Sequence, residues 1–295
     1  MSKLITVFTP TYNRAHLLHR GYEALLKQKD NDFLWMIVDD GSTDNTEELV
    51  NSWIKENKIE IRYIKKENGG VGTAYLSAIN NCDTELIIAI DSDDYLPEDG
   101  IEIIKRVWKK KEKYDNVVGI VAIDKYFDGR VVGDLLPDVE TVNLIDLLTG
   151  KYKINNGDRT DVVLTSAYRE AINDKDFNDL LIYEPHNIHL IMSRKYDFLV
   201  CNECLKYIEY QPDGLTNTLY KRYIQHADNF AAIRLLYLSF ENTGLKFKIK
   251  TYLHFIAECV LGKNYKLLRK APNFLYIILL FIPGWLLAKY IIKKA

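Results

Sequence analysis

The chain reads as an α/β protein, a mostly parallel sheet flanked by helices, and three features of its sequence predict this. Apolar, β-rich runs alternate with helix-length segments through the first 125 residues. Polar clusters fall directly after four of the apolar runs, which is where parallel sheets gather ligand chemistry. The composition, 47% hydrophobic and 27% charged over 295 residues, supplies a full core and excludes a disordered or low-complexity chain.

In order, Leu4 to Thr9 is a β run, Ala15 to Gln28 helical, Phe33 to Val38 a β run and Thr43 to Glu56 helical. Ile59 to Ile64 is the third strand, followed by a helix over Gly72 to Asn80, a strand over Glu85 to Ile90, a helix over Pro97 to Lys111 and a fifth strand over Val117 to Ile123. After Asp124 the alternation weakens. From Leu215 the chain turns helical, with one amphipathic run to Phe240 and another from Lys246 to Leu261. This divides the chain into a catalytic domain, 1–215, and a helical extension, 216–295.

The net charge of -2 hides a polarity along the chain. From Lys221 onward thirteen Lys or Arg face three acids, about +10, which leaves about -12 for the rest. The last apolar segment, Phe274 to Ala288, has basic flanks (Lys266, Arg269, Lys270, Lys289, Lys293, Lys294) and Pro283-Gly284 at its middle. It falls short of the roughly 20 apolar residues of a span, and a helix-breaking pair favours an in-plane or re-entrant anchor on anionic lipid over the alternative, a core helix capped by solvated lysines. Four cysteines without a signal peptide point to a reducing compartment, and the lone Cys201-x-x-Cys204 reads as buried structural thiols. The basic residues sit beside apolar helices and form no aromatic-studded groove, so no nucleic-acid partner is expected.

Asp91-Ser92-Asp93 ends an apolar strand, and carboxylates at i and i+2 suit one hard cation, Mg²⁺ or Mn²⁺, that also takes phosphate oxygens. Asp39-Asp40-Gly41-Ser42 ends another, where acids accept hydrogen bonds from base or ribose. Ser42 or Thr43, with Asp44 in the first turn, equally reads as the cap of the following helix.

Together these clusters resemble glycosyltransferase family 2, with its inverting chemistry and GT-A fold. The residues that carry the resemblance are Thr9-Pro10-Thr11-Tyr12-Asn13-Arg14, Val38-Asp39-Asp40-Gly41-Ser42-Thr43-Asp44, Asn68-Gly69-Gly70 and Asp91-Ser92-Asp93-Asp94. A weaker match through Gly157-Asp158-Arg159 and Glu209 to Leu215 looks like a bacterial subgroup that assembles cell-surface polysaccharide. The resemblance implies that Thr9, Pro10, Thr11, Tyr12 and Arg14 line the nucleotide, that Asp40 reads the base with Asp39 supporting it, and that Gly41, Ser42, Asn68, Gly69 and Gly70 approach the nucleotide-sugar. It further implies Asp91 and Ser92 as donor contacts, with Asp93 and Asp91 as metal ligands. Many relatives carry Arg-Asn after the glycine loop, where this chain has Tyr75-Leu76, so Lys66, Arg14 or the metal must supply positive charge.

The implied reaction transfers sugar from a nucleotide-diphosphate sugar, UDP-sugar favoured, to a hydroxyl of a saccharide or lipid-linked acceptor. It needs a carboxylate base and positive charge against the leaving diphosphate. Glu184, at a helix start beside Pro185-His186, is the candidate base, with Asp158 and Asp161 as rivals. Tyr12, Tyr183 and Tyr210 are candidates for stacking on sugar. Two other readings stand beside it: a polyprenyl-phosphate glycosyltransferase, and a non-catalytic nucleotide-sugar-binding protein. The expected location is cytoplasmic, peripheral on the inner face of the cell membrane.

Overall fold

A computed structural model describes residues 3–155, 157–174, 184–211 and 218–295. Two compact units emerge, one formed by Met1–Phe177 and Glu184–Glu209, the other including Tyr210–Ala295. Of the sequence-singled residues, Tyr183 and the stretch 212–215 lie outside the described residues.

The first unit opens with strictly alternating elements: β1 Ile5–Thr11, α1 Ala15–Leu26, β2 Phe33–Asp39, α2 Thr46–Glu56, β3 Ile61–Lys65, α3 Val71–Asn81, β4 Leu86–Ala89, α4 Gly100–Trp108 and β5 Val117–Tyr126. Then come β6 Thr141–Val142, α5 Leu144–Thr149, β7 Arg159–Leu164, α6 Thr165–Ile172, α7 His186–Met192 and β8 Asp197–Ile208. The eight strands form one sheet in the order β3-β2-β1-β4-β7-β5-β8-β6. Pairings β1–β2, β1–β4, β2–β3 and β5–β8 are parallel, whereas β7 and β6 run antiparallel to their neighbours. All seven residues of β2 are buried, as expected of an inner strand covered on both faces. Trp35 on β2 stacks with Tyr22 and Trp53, the aromatic heart of the core.

One local boundary is corrected. The second helix begins at Thr46 rather than Thr43. Ser42 and Thr43 precede it, and Asp44 accepts from the N–H and hydroxyl of Thr46. The cysteines are buried free thiols, and burial pushes the Cys204 thiol up to about 11.

In the second unit the run to Phe240 is not one helix. It breaks at His226 into α8 Leu219–Gln225 and α9 Ala227–Leu238. After α10 Leu245–Leu261 and a 3-10 turn at Tyr265–Lys270 comes α11 Phe274–Lys294, one continuous helix of 21 residues that contains Pro283. The expected break does not occur, and packing supplies the reason. Ile277, Gly284, Ala288 and Ile291 form the buried stripe of α11. A Cβ on Gly284 would lie 2.6 Å from Ile256 Cγ2, so the missing side chain lets α11 press onto α10. Burial of this stripe against α10 opposes the roughly 3 kcal/mol that an interior proline costs.

Candidate active site

The four polar loops meet at the C-terminal ends of β1 to β4 through a chain of hydrogen bonds. Asp39 is fully buried at the tip of β2, where its Oδ1 accepts from the Ser42 N–H at 2.7 Å and its Oδ2 from the Tyr63 hydroxyl. Burial and the Asp39 carboxylate push the Tyr63 phenol well above its usual range. Ser42 in turn accepts from the Asn13 N–H at 2.8 Å, and Asn13 Oδ1 accepts from the Thr43 N–H at 2.8 Å. The β1 loop and the β2 loop are therefore laced together. Ser42 is a clamp, not a helix cap.

Asp40 ties the β2 loop to the glycine loop. Its Oδ1 accepts from the Gly69 N–H at 3.0 Å and pairs with Lys66 Nζ at 2.5 Å, while its Oδ2 accepts from the Gly70 N–H at 2.7 Å. Both carboxylate oxygens are thus engaged in holding backbone and Lys66. Gly41 permits this closeness: it has φ +83°, and a Cβ there would lie 2.9 Å from the Asn68 nitrogen. Asn68 donates its side-chain amide to the Asp40 carbonyl.

The β4 loop joins through Arg14, whose guanidinium lies 3.3 Å from Asp93 Oδ2. Asp91 is exposed, Asp93 half-buried, and Ser92 and Asp94 buried. Burial and then the Asp91 charge raise the Asp93 carboxyl, and burial pushes Asp94 up to about 8 against the pull of Lys206. Thr9 and Pro10 lie within β1, and the Thr9 hydroxyl accepts from Trp35 Nε1 at 3.0 Å. Thr11 is buried and its hydroxyl has no partner among the described residues. Tyr12 is 48% exposed at the rim.

Two features were missed in the sequence. Lys206, on β8, places its ammonium 3.4 Å from Asp94 and 3.5 Å from Asp124, which Thr160 also holds at 2.6 Å. Burial alone would lower the lysine, but Asp124, Asp94 and Asp91 outweigh it and hold it well above its usual value. The sheet pairs Asp124 with Lys206 across β5 and β8, a register no sequence pattern announces. The second feature is on β7 and α7. Asp161, buried, has its Oδ2 2.6 Å from His189 Nδ1 and 3.8 Å from His186 Nδ1. Burial would raise Asp161, yet His189 and His186 hold it well below the carboxylate range. Glu184 precedes α7, and its carbonyl accepts from the Asn187 N–H at 3.0 Å. Of its rivals, Asp161 is committed to histidine and Asp158 is exposed. Tyr75, in place of the expected arginine, packs edge-on against Phe8 at 4.9 Å. Burial and then Asp91 push its phenol well up.

The site's donor set fits a hard divalent cation. Asp91, Asp93 and Asp94 follow β4 and offer carboxylate oxygen, the ligand type that a hard divalent cation of the Mg²⁺ or Mn²⁺ kind takes.

Comparison with known proteins agrees with this geometry. Residues 6–177 match the family model "Glycosyl transferase family 2". Chondroitin synthase of Pasteurella multocida is 35% identical over 107 residues, 36% of this chain and 11% of that protein. Glycosyltransferase GlyG of Streptococcus pneumoniae is 35% identical over 120 residues, 40% of this chain and 39% of that protein. The chain thus matches well under half the length of these relatives. Among solved structures, S. aureus TarS 1-349 in complex with UDP aligns with a TM-score of 0.57 at 17% identity, over 99% of this chain and 91% of that one. Mannosyltransferase PcManGT from Pyrobaculum calidifontis, in complex with GDP-Man and Mn²⁺, gives 0.59 at 17% identity, over 97% and 81%. At such identities the likeness establishes the GT-A fold alone. The family match, which covers more than half the chain, goes further: the chain belongs to glycosyltransferase family 2.

Proposed function

We propose that the chain transfers a sugar, with inversion, from a nucleotide-diphosphate sugar to a hydroxyl of a saccharide or lipid-linked acceptor, in the assembly of bacterial surface polysaccharide. Residues 1–215 act as the catalytic domain. The observation that carries the reading is the lacing of four strand-end loops into one network: Gly70 to Asp40, the adjacent Asp39 through Ser42 to Asn13, and the neighbouring Arg14 to Asp93. UDP in TarS and GDP-Man in PcManGT support a nucleotide-sugar donor in the same fold.

In this reading the β1 and β2 loops and the glycine loop bind the nucleoside, with Tyr12 at its edge and Asp40 shaping the loop that meets it. Asp91 and Asp93 would hold a Mn²⁺ or Mg²⁺ ion, which when bound neutralises charge on the departing diphosphate. Arg14, paired with Asp93, adds positive charge there, and Lys66, paired with Asp40, adds it at the glycine loop. Glu184 takes the proton of the acceptor hydroxyl as its oxygen bonds to the anomeric carbon and the bond to the diphosphate oxygen breaks. A thermal-shift screen of nucleotide sugars with and without Mn²⁺ tests the reading. Stabilisation by one donor that depends on Mn²⁺ and is lost in Asp93→Ala supports it; equal donor response with and without metal, in both proteins, refutes it.

The C-terminal helix we assign to the inner membrane surface. α11 has a mean hydropathy of 2.0 over its most apolar stretch, and only 22% of that stretch is buried. Leu275, Ile278, Leu279, Ile282 and Leu286 are all more than half exposed, with Lys289, Lys293 and Lys294 at the end of the helix. At about 1.5 Å per residue its length matches a bilayer core. The stripe that binds α11 to α10, however, favours a helix lying in the interface with its free apolar face in lipid.

A further inference from the structure

The pairing of β7 with α7 creates a constellation that none of the roles above absorbs. Asp161, His186 and His189 each offer one ligand atom, and the three atoms lie within 4.8 Å of one another. His186 and His189 are three residues apart on α7 and so share a face, which turns toward Asp161 on β7. We infer that these three residues form a transition-metal site of the Zn²⁺ class, separate from the Asp91 and Asp93 pair.

Four observations carry this. The first is spacing. Metal bonds of about 2.0 to 2.1 Å put neighbouring ligand atoms about 3 to 3.4 Å apart, and the Asp161 Oδ2 separations of 2.6 and 3.8 Å from the two Nδ1 atoms bracket that value. The second is ligand type: two imidazoles and a carboxylate suit Zn²⁺ and its borderline neighbours better than Mg²⁺ or Ca²⁺, which prefer oxygen alone. The third is an unused donor. Asp161 has a side chain only 4% exposed, yet its Oδ1 has no hydrogen-bond partner among the described residues, a costly state for a buried carboxylate. The fourth lies behind the histidine. Tyr168 hydroxyl meets His189 Nε2, so His189 can donate its Nε2 proton to Tyr168 and leave the Nδ1 lone pair for a cation. Such outer support is the usual arrangement of a metal-bound imidazole.

His186 is half exposed, so the constellation has an entry path, and three protein ligands leave a position open to water or a substrate oxygen. An ion bridging β7 and α7 would fix the segment that starts just after Glu184. That consequence, though not the site itself, rests on the role assigned to Glu184 above.

The test uses untagged full-length protein stripped with a chelator and titrated with Co²⁺, followed by visible absorption, and then with Zn²⁺ in competition with a chromophoric chelator. The expected result is one Co²⁺ per chain with nitrogen-ligand bands, displaced by Zn²⁺ but not by excess Mg²⁺. Exposed His186→Gln, chosen because it spares the core, should weaken binding by about ten-fold or more, and Tyr168→Phe by about ten-fold, whereas Asp93→Asn leaves the bands intact. Absence of Co²⁺ bands, bands indifferent to His186→Gln, or bands lost in Asp93→Asn alone would each overturn the assignment.

Discussion

Replacing Lys206 with methionine removes the cation that faces Asp94 and Asp124 and keeps the volume of its stem. In the folded protein its side chain is 13% exposed, Asp94 is 7% and Asp124 0% exposed, so water screens the group little. Stranding buried charge by deleting one partner costs about 3 to 5 kcal/mol. For a domain of this size that corresponds to a fall in Tm of about 6 to 20 °C. The pH dependence gives the argument its sign. Asp94 titrates near 8 when folded against 3.8 when unfolded, so between those values the folded state holds the extra proton and stability falls as pH rises. Without Lys206 the carboxyls of Asp94 and Asp124 move higher still. The deficit of Lys206→Met should therefore open as pH rises through about 8, where Asp94 of the parent releases its proton and that of the variant does not, and grow above it. Thermal unfolding of both proteins from about pH 6 to about pH 10 measures it, and Lys206→Met with Asp124→Asn should recover part of the loss. A Tm at about pH 10 equal to the parent's would refute the claim that Lys206 holds the acidic cluster together.

Glu184→Gln should lower turnover by about two to four orders of magnitude while donor-induced thermal stabilisation persists, since it removes the proposed base and leaves the nucleotide loops untouched; unchanged turnover moves the base elsewhere. Gly41→Ala forces an alanine to φ +83° with its Cβ 2.9 Å from the Asn68 nitrogen, so a loss of about 1 to 3 kcal/mol and weakened donor binding are expected by denaturant titration and calorimetry; parent-like values for both would show that the loops part freely. Removing the chain beyond Ala271 should release the protein from anionic vesicles in a flotation assay, and undiminished flotation would return α11 to a soluble role.

The sequence by itself settled the alternating elements from Ile5 to Tyr126 and the position of the four polar loops after their strands. These signals are local: a period-2 or 3.6 pattern and a break in it sit within a dozen residues. The family resemblance was legible for the same reason, because Asp39-Asp40-Gly41-Ser42 and Asp91-Ser92-Asp93 are contiguous. What lay between the loops was not. That Ser42 clamps Asn13, and that both oxygens of Asp40 hold the glycine loop, follows from two strand tips meeting across the sheet. Lys206 was invisible because its partners stand 82 and 112 positions earlier in the chain by their numbers and meet it only where β8 pairs with β5. The unbroken α11 makes the same point from the other side. Propensity argued for a break at Pro283-Gly284, and only the tertiary structure decided otherwise, because the glycine that weakens an isolated helix is what lets this one seat against Ile256.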